Sequence, residues 1–200
     1  MGRQGGESGR AGRPAALRAF VAVELPPTSH ARLVALKREL AEIEPAVRWT
    51  RDEGLHATIK FLGSTAAETV DALRAALTAP IARVPPPAVR LRGLGAFPHV
   101  HRPHVLWAGI DCPALGELAA RVDAAAAGLG FASETRPFHA HVTLARLDGA
   151  RFGAALDASL RAHWEDDFGG GALRELVAFR SDLRPGGALY TKLWTIPFGG

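Results

Sequence analysis

The sequence predicts an α+β fold, with strands and helices packed in layers rather than wound as a parallel sheet. Three observations carry this. Strand-like and helix-period runs alternate without strict βαβ order. The second half of the chain repeats the theme of the first. The last two strand-like runs flank Arg184-Pro185-Gly186-Gly187, a hairpin signal.

The elements follow in order. Residues 1–13 (MGRQGGESGRAGR) have no apolar periodicity and read as a disordered tail; an RNA-contacting Arg-Gly arm is the alternative. Residues 14–200 form one two-lobed domain. Ala19 to Leu25 is a strand closed by Pro26-Pro27. Leu33, Leu36, Leu40 and Ile43 recur at steps of three and four, a helix that Pro45 ends. Val47 to Trp49 is a short extended piece and Leu55 to Leu62 a strand. Thr65 and Glu68 have capping-box spacing before a helix bearing Val70, Leu73, Leu77 and Ile81. Pro85-Pro86-Pro87 is a stiff break, which places the lobe boundary near residue 85. Strands follow at Ala88 to Leu94 and His104 to Ile110. A helix from Ala114 to Leu129 shows Leu115, Leu118, Val122 and Ala125 on one face. A strand at Phe138 to Ala145, a helix marked by Phe152, Leu156 and Trp164, and strands at Leu173 to Ser181 and Leu189 to Ile196 complete the chain.

Composition bounds the function. With 200 residues, 48% of them hydrophobic, the chain can bury a real core. The net charge of +4 suits an anionic partner such as RNA or a phosphorylated metabolite. Cys112 is the single cysteine, so an internal disulfide, a Cys-based zinc site and a redox pair are all excluded. No apolar run is long enough to cross a bilayer, and Arg18 and Glu24 interrupt the stretch nearest to a signal peptide. The expectation is a cytoplasmic protein that does not engage a membrane.

The chemistry lies in a short repeat. His56-Ala57-Thr58-Ile59 recurs as His141-Val142-Thr143-Leu144, once in each half. On a strand, residues i and i+2 share a face, so each motif presents an imidazole beside a hydroxyl. Two such strands facing one another would set two imidazoles and two hydroxyls around one cavity. That set fits the cleavage of a phosphodiester without a metal, which needs a base and an acid. One histidine takes a proton from the nucleophile and the other protonates the leaving oxygen. Neutral hydroxyl donors, here Thr58 and Thr143, stabilise charge on the non-bridging oxygens. The two half-sites look alike, so acid and base are not told apart by residue chemistry.

Strict alternation puts Lys60 on the face of His56 and Thr58, where it adds positive potential to the cleft or is simply solvated. Trp49 and Phe61 either stack on a base or belong to the core. His139 shares a strand face with His141 and is placed to perturb it. His139 with His99, His101 and His104 also raises a metal reading, but no carboxylate or cysteine pattern accompanies them, and the expectation is no metal and no cofactor. The His99 to His104 cluster reads as a polar loop at the cleft rim, while His30 and His163 fall on helices and read as solvent-facing.

The words around these residues go further. Arg18 to Pro27 (RAFVAVELPP), Val47 to Gly63 (VRWTRDEGLHATIKFLG), Gly93 to Pro98 (GLGAFP), Arg102 to Gly109 (RPHVLWAG), Arg136 to Arg146 (RPFHAHVTLAR) and Ser181 to Tyr190 resemble, in order, the bacterial RNA 2′,3′-cyclic phosphodiesterases. That family was first named for 2′-5′ RNA ligase activity and belongs to the two-histidine phosphoesterases. The resemblance implies two pseudo-twofold-related lobes, antiparallel sheets with flanking helices, around a central cleft. It implies hydrolysis of an RNA 2′,3′-cyclic phosphate to a 2′-phosphate, with His56 as proton donor and His141 as acceptor. Thr58 and Thr143 would hold the phosphate oxygens and Arg146 would clamp the phosphate. Alternation sets Arg146 on the face opposite His141, so it reaches the cleft only if the strand bends. Ligation by a 5′-hydroxyl in place of water would use the same groups, and its reversal would cleave a 2′-5′ linkage. Two alternatives stay open: a phosphodiesterase of small cyclic nucleotides or 2′-5′ oligonucleotides, and a non-catalytic module that binds RNA ends. A monomer is expected, because the internal repeat already supplies a twofold arrangement.

Overall fold

The computed structural model describes residues 16–147, 152–184 and 187–199. The tail assigned to residues 1–13 and the Pro185-Gly186 centre of the hairpin turn lie outside them. Within the described residues nine strands form one sheet, every pairing antiparallel. The strands are β1 (Leu17–Glu24), β2 (Arg48–Trp49), β3 (His56–Thr65), β4 (Ala88–Phe97), β5 (Val105–Asp111), β6 (His141–Arg146), β7 (Asp167–Ala172), β8 (Glu175–Arg184) and β9 (Gly187–Pro197). The helices are α1 (Pro27–Ile43), α2 (Ala67–Ile81), α3 (Pro113–Ala127) and α4 (Ala154–Ala162).

The sheet order, β7-β4-β5-β6-β3-β1-β8-β9, is symmetric about the β3–β6 seam, and β2 adds to β6. The steps β1-α1-β3-α2 and β5-α3-β6-α4 repeat one another across that seam. The halves are not continuous segments of chain. The link between α2 and β4 crosses from one half to the other near Pro85, but β8 and β9 return to pair beside β1. One boundary in sequence therefore does not divide the lobes.

Leucine-rich faces drive the packing. Leu33, Leu36 and Leu40 of α1, Leu73 and Leu77 of α2, and Leu115 and Leu118 of α3 are buried against one face of the sheet. Helix α1 packs on β7 and α4, whereas α3 packs on β3 and α2. Pro27 suits the first turn of α1, where a missing N–H costs nothing. The opposite face of the sheet carries a separate apolar cluster of Phe20, Ala22, Val177 and Phe179, with Tyr190 against it. That second face holds the histidines.

One expectation fails at the element level and one strand is unforeseen. The capping box does not form: Ala66 is the N-cap of α2, no side chain caps it, and Thr65 ends β3. Strand β7 (DFGGGA) carries no strand signal, because glycine hides the alternation. Its glycines answer to backbone contact. A Cβ on Gly170 would lie 2.1 Å from the Val89 carbonyl oxygen of β4, and Gly169 has φ of +81°. Gly170→Ala is therefore expected to cost about 1–3 kcal/mol through overpacking. The check is a lower urea midpoint at unchanged slope; an unshifted midpoint would show that β7 can move aside.

Candidate active site

The two histidine words meet at the seam. Strands β3 and β6 pair through Ala57 and Val142, the residues that follow His56 and His141. That antiparallel register sets His56 across from Thr143, and Thr58 across from His141. All four side chains are half-buried on the face away from the helices.

Each histidine is held by the same local device. His56 Nδ1–H donates to the Gly54 carbonyl at 2.8 Å, and His141 Nδ1–H donates to the His139 carbonyl at 2.7 Å. With Nδ1 committed to backbone, Nε2 is the nitrogen left for chemistry. At His56 the Thr58 hydroxyl lies 3.1 Å from Nε2 and donates to it in the resting state.

Aromatic rings wall both sites. The His56 ring stacks on Phe20 at 4.8 Å, with Tyr190 edge-on at 5.1 Å and Phe179 at 6.0 Å. His141 has Phe97 edge-on at 5.1 Å and Trp107 at 6.3 Å. These walls dry the imidazoles and disfavour their charged forms. Burial pushes the His56 pKa down from 6.5 to about 4, against the Gly54 carbonyl, which raises it; His141 and Arg146 lower it further. Burial also lowers His141, helped by the charges of His139 and Arg146 and opposed by the His139 carbonyl. Both histidines are neutral in the free protein near pH 7.

Bulges decide which neighbours join them. Between the pairs Ala22↔Thr58 and Val21↔Lys60, Ile59 is the extra residue of β3. Between Trp107↔Thr143 and Leu106↔Ala145, Leu144 is the extra residue of β6. Each bulge reverses the alternation beyond it. Arg146 therefore turns onto the face of His141, close enough to act on His56, His141 and Tyr190. Phe61, at the matching position of β3, turns onto the face of His56, 57% exposed and 6.2 Å from Phe20.

The same bulges overturn the expectation for Lys60 and take Trp49 to the core alternative. Lys60 is not on the cleft face: it is 3% exposed on the helix side, bonded to Asp123 Oδ1 at 2.6 Å and to the Ala132 carbonyl at 2.9 Å. Trp49 pairs with Ala145, which the Leu144 bulge turns into the core. The indole packs there, with its N–H on the Glu44 carbonyl at 3.0 Å, so it offers no platform to a base.

Among the other histidines, His139 is exposed and lies 4.8 Å from the Trp107 ring. His99 and His101 sit 6.1 Å apart in the β4–β5 loop. No group of three or more His, Cys, Asp or Glu that could hold a metal forms among the described residues. His30 and His163 are engaged rather than solvent-facing: His30 Nε2 donates to the Asp52 carbonyl, and His163 bridges Asp166 and Glu39. Sequence reasoning missed the ring wall of Phe20, Phe179 and Tyr190, whose members come from three strands with no local signal to join them.

Comparisons with known proteins give the family and the fold. A family model for LigT-like phosphoesterases matches residues 23–107 and 111–190. An RNA 2′,3′-cyclic phosphodiesterase of Aeropyrum pernix is 34% identical over 167 residues, which are 82% of this chain and 94% of that relative. One from Methanothermobacter thermautotrophicus is 26% identical over 178 residues, 88% of this chain and 96% of the relative. Crystalline E. coli LigT in complex with 3′-AMP superposes with a TM-score of 0.74 at 26% identity, covering 92% of this chain and 98% of that one. TT0787 of Thermus thermophilus superposes with a TM-score of 0.74 at 28% identity, covering 92% and 99%. The matched residues span both histidine words and most of the sheet that carries them, and the chain belongs to the LigT-like phosphoesterase family.

Proposed function

We propose that this protein hydrolyses RNA 2′,3′-cyclic phosphate ends to 2′-phosphates, with His56 and His141 as its acid and base and no metal in the reaction. The observation that carries the reading is the seam itself. Two imidazoles stand diagonally across β3 and β6, each with Nδ1–H donated to backbone, which leaves Nε2 for proton transfer; at His56 the Thr58 hydroxyl rests on it. His141 Nε2 takes a proton from water as its oxygen bonds to phosphorus. The bond from phosphorus to the 3′ oxygen breaks in line, and His56 Nε2–H protonates that oxygen. Thr58, Thr143 and Arg146 stabilise the non-bridging oxygens. The acid role of His56 follows the family resemblance. The rings of Phe20, Phe61 and Tyr190 beside it suit the nucleoside that carries the leaving oxygen. With a 5′-hydroxyl in place of water, the same transfers form a 2′-5′ linkage.

The curated relatives named RNA 2′,3′-cyclic phosphodiesterase support RNA as substrate. The 3′-AMP bound to E. coli LigT favours a second reading, the same chemistry on small nucleotides. Turnover of a cyclic-phosphate-ended tRNA half against a cyclic-phosphate dinucleotide separates the two: RNA is the substrate only if the longer end reacts with the higher kcat/KM. A complex that holds either end uncleaved would sink both in favour of an end-binding module. No helix among the described residues is long and apolar enough to cross a membrane. We propose a monomer on a separate ground: the internal repeat about the β3–β6 seam already supplies a twofold arrangement.

The low histidine pKa values set the pH dependence. Both limbs of kcat/KM, which report the free enzyme, are expected below about pH 6.5 and belong to the pair rather than to either residue. A bound phosphate anion favours the imidazolium of His56, so the alkaline limb of kcat should lie about a unit or more above that of kcat/KM. Coincident limbs, or a free-enzyme limb above pH 7, would show that the ring wall does not dry the site.

A further inference from the structure

The segment between α1 and β3 touches both half-sites at once. At one end, β2 pairs with β6 beside Arg146, and Thr50 N–H donates to the carbonyl of Leu144, the bulge residue of the second motif, at 2.9 Å. At the other end, the single 3₁₀ turn Asp52–Gly54 presents the Gly54 carbonyl that His56 uses. Between them stands Lys37 of α1, 5% exposed, with its ammonium on the Thr50 carbonyl at 2.5 Å and on Asp52 Oδ1. Arg38 holds the other oxygen of Asp52 through Nε at 3.0 Å and Nη2 at 2.5 Å, and His30 holds the Asp52 carbonyl at 2.9 Å. The turn is wedged on its far side too, since a Cβ on Gly54 would meet Thr50 Cγ2 at 3.2 Å and the Tyr190 ring at 3.3 Å.

We propose that Lys37 and Asp52 are positioning residues for the His56 acid, fixing the Thr50–Gly54 segment so that the Gly54 carbonyl holds the His56 tautomer in register with the β6 half-site. The proposal rests on the acid role given to His56 above. A buried lysine is an expensive way to fasten a loop, and a salt bridge on the surface of α1 would tie the chain down without it. Here three side chains of one helix converge on one turn, and that turn bears the carbonyl that an active nitrogen needs. Displacing such a carbonyl by an ångström is worth up to about a hundredfold in rate.

The polar and titratable groups that face His56 are His141 and Arg146 from β6, Tyr190 from β9 and Thr58 from its own strand. None of them replaces the Gly54 carbonyl as acceptor for Nδ1–H. The test uses the full chain, with Asp52→Asn and Asp52→Glu beside Asp123→Ala, a variant that breaks the ion pair between α3 and β3, on the face of the sheet away from His56. Three readouts are taken: kcat/KM against pH on a cyclic-phosphate-ended RNA, the imidazole nitrogen spectrum of His56, and thermal stability. Asp52→Asn is expected to lower kcat/KM about ten- to a hundredfold, mix the His56 tautomers and move the pair's limbs to lower pH. Asp52→Glu should recover part of each. Asp123→Ala should lose stability while keeping the tautomer and the profile. An Asp52→Asn enzyme with the His56 tautomer intact, or one whose loss is matched by Asp123→Ala, would overturn the proposal. Should Asp52→Asn not fold, Asp52→Glu carries the test alone: a shifted profile supports the proposal and an unshifted one overturns it. Full activity of His56→Ala would instead refute the acid role itself, a separate result.

Discussion

Replacing His56 or His141 by alanine is expected to lower kcat by about a hundredfold to ten-thousandfold on an RNA ending in a 2′,3′-cyclic phosphate, with EDTA present throughout. The two roles belong to one proton-transfer sequence. The double variant should therefore lose little more than the worse single one, as is usual for groups that act as a unit. Neither substitution should unfold the protein, because each ring is half-buried and its walls of Phe20 and Tyr190, or Phe97 and Trp107, stay packed on the sheet. Circular dichroism and thermal melting check that point. Retained activity in either variant would remove that histidine from the mechanism. Loss of wild-type activity in EDTA would move attention to a metal and to His99, His101 and His139.

The site was legible in sequence to the extent that it is local. An i, i+2 pair in a strand shows its shared face directly, so His56 with Thr58 and His141 with Thr143 could be read as they stand. What the pattern could not show was the parity beyond them. The bulges at Ile59 and Leu144 are set by partner strands far away in sequence, β1 and β5. They exchange inside for outside at Lys60, Phe61, Ala145 and Arg146, and through the β2 pairing at Trp49. One-residue shifts of this kind are invisible to a period-two reading. The helices were legible for the opposite reason, since their leucine spacing depends on no partner. Strand β7 was not, because Gly169 answers to a positive φ, Gly170 to the backbone of β4 and Gly171 to Pro26 rather than to any periodicity of their own. The 3₁₀ turn at Asp52 likewise gave no signal, since its meaning comes from Lys37 fifteen positions earlier.

The new position of Lys60 has a measurable consequence, because a buried ammonium depends on its partner. Its side chain is 2% exposed, against 23% for Asp123, and Glu134 lies 3.9 Å away as a weaker second carboxylate. Asp123→Ala leaves that charge in an apolar setting with only the Ala132 carbonyl well placed, and should cost about 3 kcal/mol, the lower end for breaking a buried pair. Lys60→Met removes the charge and keeps the volume; it leaves Asp123 with one edge in water and should cost about 1 kcal/mol. That order, aspartate worse than lysine, is the signature of a buried cation. A cleft lysine would give the reverse pattern, with little lost stability and a raised KM for RNA. The Lys60 hydrogen bond holds the Asp123 carboxyl below its ordinary value of 3.8. The advantage of wild type over Asp123→Ala is thus present above that pH and should shrink as pH falls below it. In neither variant should kcat change by more than about twofold, since Lys60 and the histidines stand on opposite faces of β3. A tenfold loss in Lys60→Met at unchanged stability would return this lysine to the cleft.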